Sequence, residues 1–174
     1  WIVEAKKQFI IIGNINCVTY KEVFPLIKSE KVWLGPSITS GDRKFNVPDD
    51  YPLNAAGCGI DQDGKRFIKV KGVRWFTNLD HKKRHEKLDL VCKYSPEEYP
   101  HYDNYDAIEV SKTANIPCDY EGIMGVPITF LDKYNPEQFE IVRFRKGDDG
   151  RDLCVNGKCP YFRILIRNKH PQKP

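Results

Sequence analysis

An α/β fold that gives way to a β-rich region is what this sequence predicts. Three observations carry that expectation. The run Phe9–Ile12 is continuously apolar and ends in Gly13-Asn14, the mark of a strand buried on both faces. The segments around it read helix, strand, helix, strand. From residue 66 onward, short alternating stretches bounded by Gly, Pro and Asn replace the helices.

Each element follows from local chemistry. Residues 1–8 read as the end of a helix, with Trp1, Ile2, Val3 and Ala5 on an apolar side and Lys6-Lys7 suited to a helix carboxyl end. The strand Phe9–Ile12 belongs inside a parallel sheet, and its neighbours are not evident so near the start of the chain. Asn14 and Asn16 would then stand at its carboxyl edge, where such sheets open a cleft; a turn role for either fits equally. Thr19 is placed to cap a helix over "YKEVFPLIKSE", with Val23, Leu26 and Ile27 on one side and Pro25 limiting its regularity. "KVWL", 31–34, is a short strand.

Residues 35–65 are rich in Gly, Pro, Asp and Ser and read as a long loop. "DQDG" within it is a turn that lacks the downstream Glu of a calcium loop. "RFIKVKGVRWFTNL" gives two strands broken at Gly72. "DHKKRHEKLDLVCKY" is part loop and part strand, and "AIEV" a short strand. Asn135-Pro136-Glu137-Gln138 has the cap, proline and acid of a helix first turn, but "FEIVRFR" alternates like a strand, so that helix must be short. The chain closes in "DLCVNGKCPYFRILIRNK", a hairpin around Asn156-Gly157.

The 174 residues allow one domain, or one and a fraction. No apolar run approaches the ~18 residues of a membrane span, and there is no secretory signal, so no membrane role and a cytoplasmic location are expected. Translation cannot begin at Trp1, so the chain is expected to start in mid-domain. The six cysteines contain no CxxC, and we read them as reduced thiols. Cys154 and Cys159 would face each other across the Asn-Gly hairpin, where a disulfide or half a zinc site is the alternative. His81 and His85 are spaced i, i+4 in "HKKRHEK", which reads as a solvated basic face. The pairs Asp49-Asp50, Glu97-Glu98 and Asp148-Asp149 sit in turn-like contexts. No metal site is expected, and no phosphate-cradling glycine loop, GxSxG or HExxH occurs.

The net charge of +4 is mild, but its placement points to nucleic acid. "KVKGVRWFTNLDHKKRH" interleaves Trp75 and Phe76 with Lys and Arg, and "IVRFRK" and "YFRILIRNK" repeat the mixture. Cations neutralise phosphates and aromatic faces stack on exposed bases. A half-exposed strand alternates in the same way, so a plain structural α/β domain and a non-catalytic DNA-binding or specificity module stand as alternatives.

Four stretches carry a family resemblance: "FIIIGNINCVTYKEVFPLIKSEKVWLG", "GVRWFTNLDHKKRHEKLDL", "YDAIEVSKTANIPCDYEGIMGVPITFLDKYNPEQFEI" and "NGKCPYFRILIRNK". In order and spacing they resemble the EcoRI-type adenine-specific DNA methyltransferases. The resemblance implies methyl transfer from S-adenosylmethionine to adenine N6 in double-stranded DNA, within a restriction–modification system that includes a cognate restriction endonuclease. It also implies a Rossmann-like methyltransferase sheet, of which residues 1–79 would be the C-terminal part, followed by a β-rich target-recognition region over 80–174. The family's glycine cofactor loop and its Asn/Asp-Pro-Pro-aromatic tetrapeptide occur nowhere in these residues; the only Asn-Pro, Asn135-Pro136, is followed by Glu. The expectation is therefore a C-terminal portion, inactive alone and not a tight binder of the cofactor.

Site candidates follow from the same resemblance. Such enzymes flip the target base into a pocket, and an aromatic on a later strand supplies a wall. Trp75 and Phe76 are the base-stacking candidates, with Asn78 as a polar neighbour; one of the two aromatics must be core, since adjacent strand residues point to opposite faces. Asn14 and Asn16 are cleft-edge candidates. Lys82, Lys83, Arg84 and Lys112 are expected to contact DNA.

Overall fold

The computed structural model describes residues 2–39, 41–145, 153–159 and 162–173. Residues 2–6 make a turn, closed by the Lys6 amide on the Val3 carbonyl at 3.0 Å, and not the predicted end of a helix. So short a segment gains too few hydrogen bonds to repay helix nucleation. Trp1 lies outside the described residues.

Strand β1 is Ile10–Asn14. It pairs antiparallel with β6, Val73–Thr77, which pairs in turn with β2, Trp33–Leu34, giving the order β1-β6-β2. Both outer strands run against β6 and so run parallel to each other. Between them the chain passes through a 3-10 turn, Ile15–Thr19, and a helix α1, Phe24–Lys28. The result is a β-helix-β crossover with a later strand inserted in its middle.

The expected interior position of the first strand is corrected here. It lies at the border of an antiparallel sheet, and Ile10, Ile11 and Ile12 are 60%, 45% and 44% exposed. An apolar run reports what the side chains require of their surroundings, not which neighbours supply it. The helix after it is shorter than predicted. Pro25 stands at its start, Val23 precedes it without a side-chain cap, and the Thr19 hydroxyl instead donates to the Asn16 carbonyl at 2.8 Å. Lys28 reaches across to the Val142 carbonyl at 2.7 Å, a group freed by a bulge in the neighbouring sheet.

Residues 35–65 are not one loop. Strands β3, Arg43–Asn46, and β4, Cys58–Ile60, flank β5, Arg66–Val70, in a separate antiparallel sheet of order β3-β5-β4. Their turns hold the Gly, Pro and Asp, and strands of three and four residues are too short to show a period. "DQDG" is a turn as expected: the Asp61 carboxylate accepts from the Asp63 and Lys65 amides at 3.1 and 2.8 Å. Gly72, at φ +66°, turns β5 into β6, as the predicted break requires.

The second half is strand-rich, as predicted. Strands β7, His101–Tyr102, β8, Tyr105–Glu109, β9, Ile123–Val126, β10, Phe139–Arg145, and β11, Arg163–Asn168, form a sheet of order β10-β11-β9-β8-β7, parallel only between β8 and β9. The Asn135 segment makes one turn and no helix: its carbonyl accepts from Gln138 at 3.2 Å and Phe139 at 3.0 Å, and β10 begins there. Asn156 and Gly157, both at positive φ, form the expected turn, but among the described residues only the Val155–Lys158 bridge flanks it. β11 pairs with β10 and β9 instead of extending that hairpin. Cys154 and Cys159 are joined as a disulfide, which corrects the reading of six reduced thiols; Cys17, Cys58, Cys92 and Cys118 are free. Asp148-Asp149 lies outside the described residues.

One hydrophobic core runs through both halves. Phe9, Val18, Ile27, Leu34 and Phe76 share it with Ile108, Met124, Phe130, Phe139 and Ile166. Packing therefore does not stop at residue 79.

Candidate functional site

The register of β1 against β6 sorts the candidate aromatics onto opposite faces. Ile10, Ile12 and Asn14 share one face with Thr77, Trp75 and Val73; Ile11 and Gly13 share the other with Phe76 and Arg74. Phe76 is buried at 7% exposure and belongs to the core. Trp75 is half-buried and walls a hollow of about 370 Å³ together with Ile10, Pro36, Leu79 and His81. A second hollow, about 270 Å³, lies on the opposite face beside Val3, Phe9, Ile11, Leu26 and Phe76. The border strand thus carries an apolar depression on each side.

His81 has its Nε2 2.9 Å from the Leu34 carbonyl, so that nitrogen carries the proton. Its Nδ1 is buried with no hydrogen-bond partner among the described residues. Asn78 is fully engaged in holding the N-terminal segment. Its Oδ1 accepts from the Phe9 amide at 3.0 Å and its Nδ2 donates to the Lys7 carbonyl at 2.8 Å.

Asn14 stands at the other end of β1 from Asn78, so the structure does not bring the two together. The Asn14 amide accepts from Asn16 N at 2.9 Å and donates to the Lys71 carbonyl at 2.8 Å, closing the turn after β1 and tying it to the end of β5. Asn16 is exposed.

The four basic candidates divide. Lys82 and Lys112 are exposed. Lys83 leans toward the Pro36 carbonyl at 3.4 Å. Arg84 has an internal role: its guanidinium lies over Trp33, 3.9 Å from the ring centre, and pairs with Glu30 at 2.9 Å and Asp80 at 3.8 Å. His85 bonds both Asp80, at 2.8 Å, and Glu137, at 3.2 Å. The Asp80 bond first, then the Glu137 bond, raise the His85 pKa above its ordinary 6.5.

Sequence reasoning missed the strongest polar feature near β6. Arg74 is 4% exposed and forms a two-bond pair with Asp132, while its Nη2 also donates to the Thr39 carbonyl at 2.8 Å. The one signal was an Arg inside an otherwise apolar strand, "GVRWF". Among the described residues no group of three or more His, Cys, Asp or Glu side chains is placed to hold a metal, and no helix is long and apolar enough to cross a membrane.

Comparison with known proteins gives this arrangement a class. The sequence is 55% identical over 174 residues to the Type II methyltransferase M.EcoRI of Escherichia coli, a match covering 99% of this chain and 53% of that protein. It is 36% identical to the Type II methyltransferase M.MgeORF184P of Mycoplasma genitalium and 34% identical to M.MpnI of Mycoplasma pneumoniae, each covering 97% of this chain and 59% of the relative. These are methyltransferases. The family model described as adenine-specific methyltransferase EcoRI matches residues 1–169, and the chain belongs to that family. It spans between half and three-fifths of the length of these relatives. No solved structure matches it.

Proposed function

We propose that this chain is part of an S-adenosylmethionine-dependent DNA adenine-N6 methyltransferase, contributing one border of the catalytic sheet and the target-recognition region. The family match across residues 1–169 carries the reading. The β1-β6-β2 sheet supports it: two parallel strands joined by a helical crossover are what the border of a Rossmann-like sheet requires. The bare edge of β1 and the apolar hollow on each of its faces are where further strands and helices of the complete enzyme would pack.

The described residues do not by themselves fit the cofactor. The ribose of such a ligand asks for a carboxylate, and its charged part for a glycine turn after a parallel strand. The hollow beside Ile11 and Phe76 is lined by Ile, Val, Phe, Leu, Gly and Cys alone. In the hollow beside Trp75 the one carboxylate, Asp80, is engaged by His85 and Arg84. Among the described residues, glycines with positive φ fall only in the turns at 41, 57, 64, 72 and 157, none of which follows a parallel strand. Cofactor binding and the methyl-transfer step are therefore assigned to the part of the enzyme beyond these residues, and this chain alone is inactive.

Within this reading Trp75 remains the base-facing aromatic, while Phe76 holds the core under it. Lys82, Lys83 and Lys112 are the candidate phosphate contacts; Arg84 acts by bracing the turn that presents Lys82. The division near residue 79 is one of role, since the core is continuous across it. A cognate restriction endonuclease completes the system that the family implies.

Methyl transfer measured with the full-length protein and with residues 1–174 tests this. Adenine N6 is the expected acceptor, and only the full-length protein should react. Labelling of cytosine, or of no DNA base at all, removes the assignment. Micromolar S-adenosylmethionine binding by residues 1–174 in calorimetry removes the placement of the cofactor elsewhere.

A further inference from the structure

Residues 41–72, with their three-stranded sheet, stand apart from the packing of the rest. None of them is buried, and none joins the hydrophobic core. The segment leaves and rejoins the body through two glycines with left-handed backbone, Gly41 at φ +75° and Gly72 at φ +66°. Its root is firmly held. Arg74 binds the Thr39 carbonyl on the entering side, and on the leaving side Asn14 takes the Lys71 carbonyl while Ile15 N donates to Gly72 O at 2.7 Å. A small sheet without a core of its own is thus fixed beside the carboxyl end of β1.

The two faces of this sheet differ. One carries Ile68 and Val70, half-buried against residues 51–56, where Arg66 also bonds the Tyr51 carbonyl at 2.7 Å. The other is open. Lys44 stands opposite Lys69, and Asn46 opposite Phe67. Lys65 and Lys71 flank β5, immediately before and immediately after it. Lys65, Lys69 and Lys71 are exposed and have no ion-pair partner among the described residues. The Lys44 ammonium sits over the Phe67 ring at 4.4 Å and pairs with Asp61 at 2.7 Å. The other carboxylates of the segment, Asp42, Asp49, Asp50 and Asp63, lie outside its strands.

We propose that this sheet is a DNA-contacting arm, which brings Lys69 on its open face, and Lys65 and Lys71 at the two ends of β5, to the phosphates of the duplex beside the target base. The proposal rests on the reading of the chain as part of a DNA methyltransferase. Three exposed cations without ion-pair partners among the described residues, on and beside one strand, are complementary to a line of phosphates, and a β-ribbon is narrow enough to follow a groove. The attachment beside Asn14 sets the arm at the edge of the sheet where the cleft is expected. The arm adds a DNA contact ahead of residue 80, within the part otherwise read as catalytic domain.

The test uses the full-length protein and a duplex containing its recognition sequence, with affinity measured across a range of salt. Each lost phosphate contact lowers the slope of log affinity against log salt by about 0.9, so K65A/K69A/K71A should flatten it by up to about 2.7. Affinity at moderate salt should fall at least about tenfold, S-adenosylmethionine affinity should stay unchanged, and K65R/K69R/K71R should restore binding. Wild-type slope and affinity in the alanine variant would overturn the arm while leaving the methyltransferase reading intact. A wild-type protein that fails to bind the duplex would sink both. Loss of cofactor affinity in step with DNA affinity would mark the effect as structural and overturn the proposal.

Discussion

Arg74 on β6 and Asp132 in the 3-10 turn Ile128–Lys133 form a buried two-bond ion pair, Nε to Oδ1 at 2.6 Å and Nη2 to Oδ2 at 2.9 Å. The pair joins the border sheet to the turn that leads into β10, and through Thr39 it fixes the root of the small sheet. Removing one partner strands the other's charge in the interior, at a cost of about 3–5 kcal/mol. Arg74→Ala should therefore lower the melting temperature by on the order of 10 °C. The double substitution Arg74→Met with Asp132→Leu should recover part of that loss. Additive losses in a thermal denaturation cycle would show that the two residues are not coupled.

Trp75 and Phe76 should separate stability from activity. Phe76→Ala empties a core position and is expected to cost about 3–5 kcal/mol in chemical denaturation. Trp75→Ala removes a half-buried wall and should cost less stability. In the full-length enzyme it should lower kcat/KM for DNA by about 5- to 150-fold, the equivalent of a lost stacking contact of ~1–3 kcal/mol. Unchanged kinetics for Trp75→Ala would take it out of the base pocket.

His85 gives stability a pH dependence of known sign. Asp80 and Glu137 favour the charged imidazole and raise its folded pKa above 6.5. The stabilisation is present in full below 6.5 and is lost as pH rises through the folded value. On the acid side the His85 bond lowers the Asp80 pKa below 3.8, so that contribution fades as pH falls through the lowered value. His85→Asn should weaken the protein more below pH 6.5 than well above it. A chemical-shift titration of His85 with its midpoint at or under 6.5 would contradict the geometry.

Gly125 on β9 lies directly beneath Tyr102 of β7, whose hydroxyl donates to Glu109; Arg163 binds the same carboxylate at 2.6 Å. Burial, then the Glu109 bond, push the Tyr102 pKa far up and keep it protonated. A methyl group at 125 would collide with the tyrosine. Gly125→Ala is expected to cost about 1–3 kcal/mol, and Tyr102→Phe in the same chain should cost less than the sum of the two changes. Strict additivity in urea melts would count against the contact.

The Cys154–Cys159 disulfide closes a short loop around Asn156-Gly157. In denaturant without reductant, four thiols should react with a thiol reagent, and six after reduction. Six reactive thiols from the outset would show the bond absent. The loop is so short that reduction should cost no more than about 2 kcal/mol.

Part of this was legible along the chain. Alternation and turn residues gave the two strands either side of Gly72, β10, and the Asn-Gly turn, because those signals are local and the backbone obeys them locally. That one of Trp75 and Phe76 is core follows from strand geometry alone; which one it is depended on the register of β1 against β6. The small sheet escaped notice because its strands are too short to show a period. Arg74 escaped because a buried cation is recognisable only by the carboxylate it meets, 58 positions away.

The family was thus written in residue types and their spacing, which survive in a linear string. The packed chain alone decided that the apolar strand borders its sheet, that Arg84 is turned inward, and that Lys65, Lys69 and Lys71 are left exposed. Those outcomes depend on contacts between distant segments, and a linear string records which groups are available but not which of them meet.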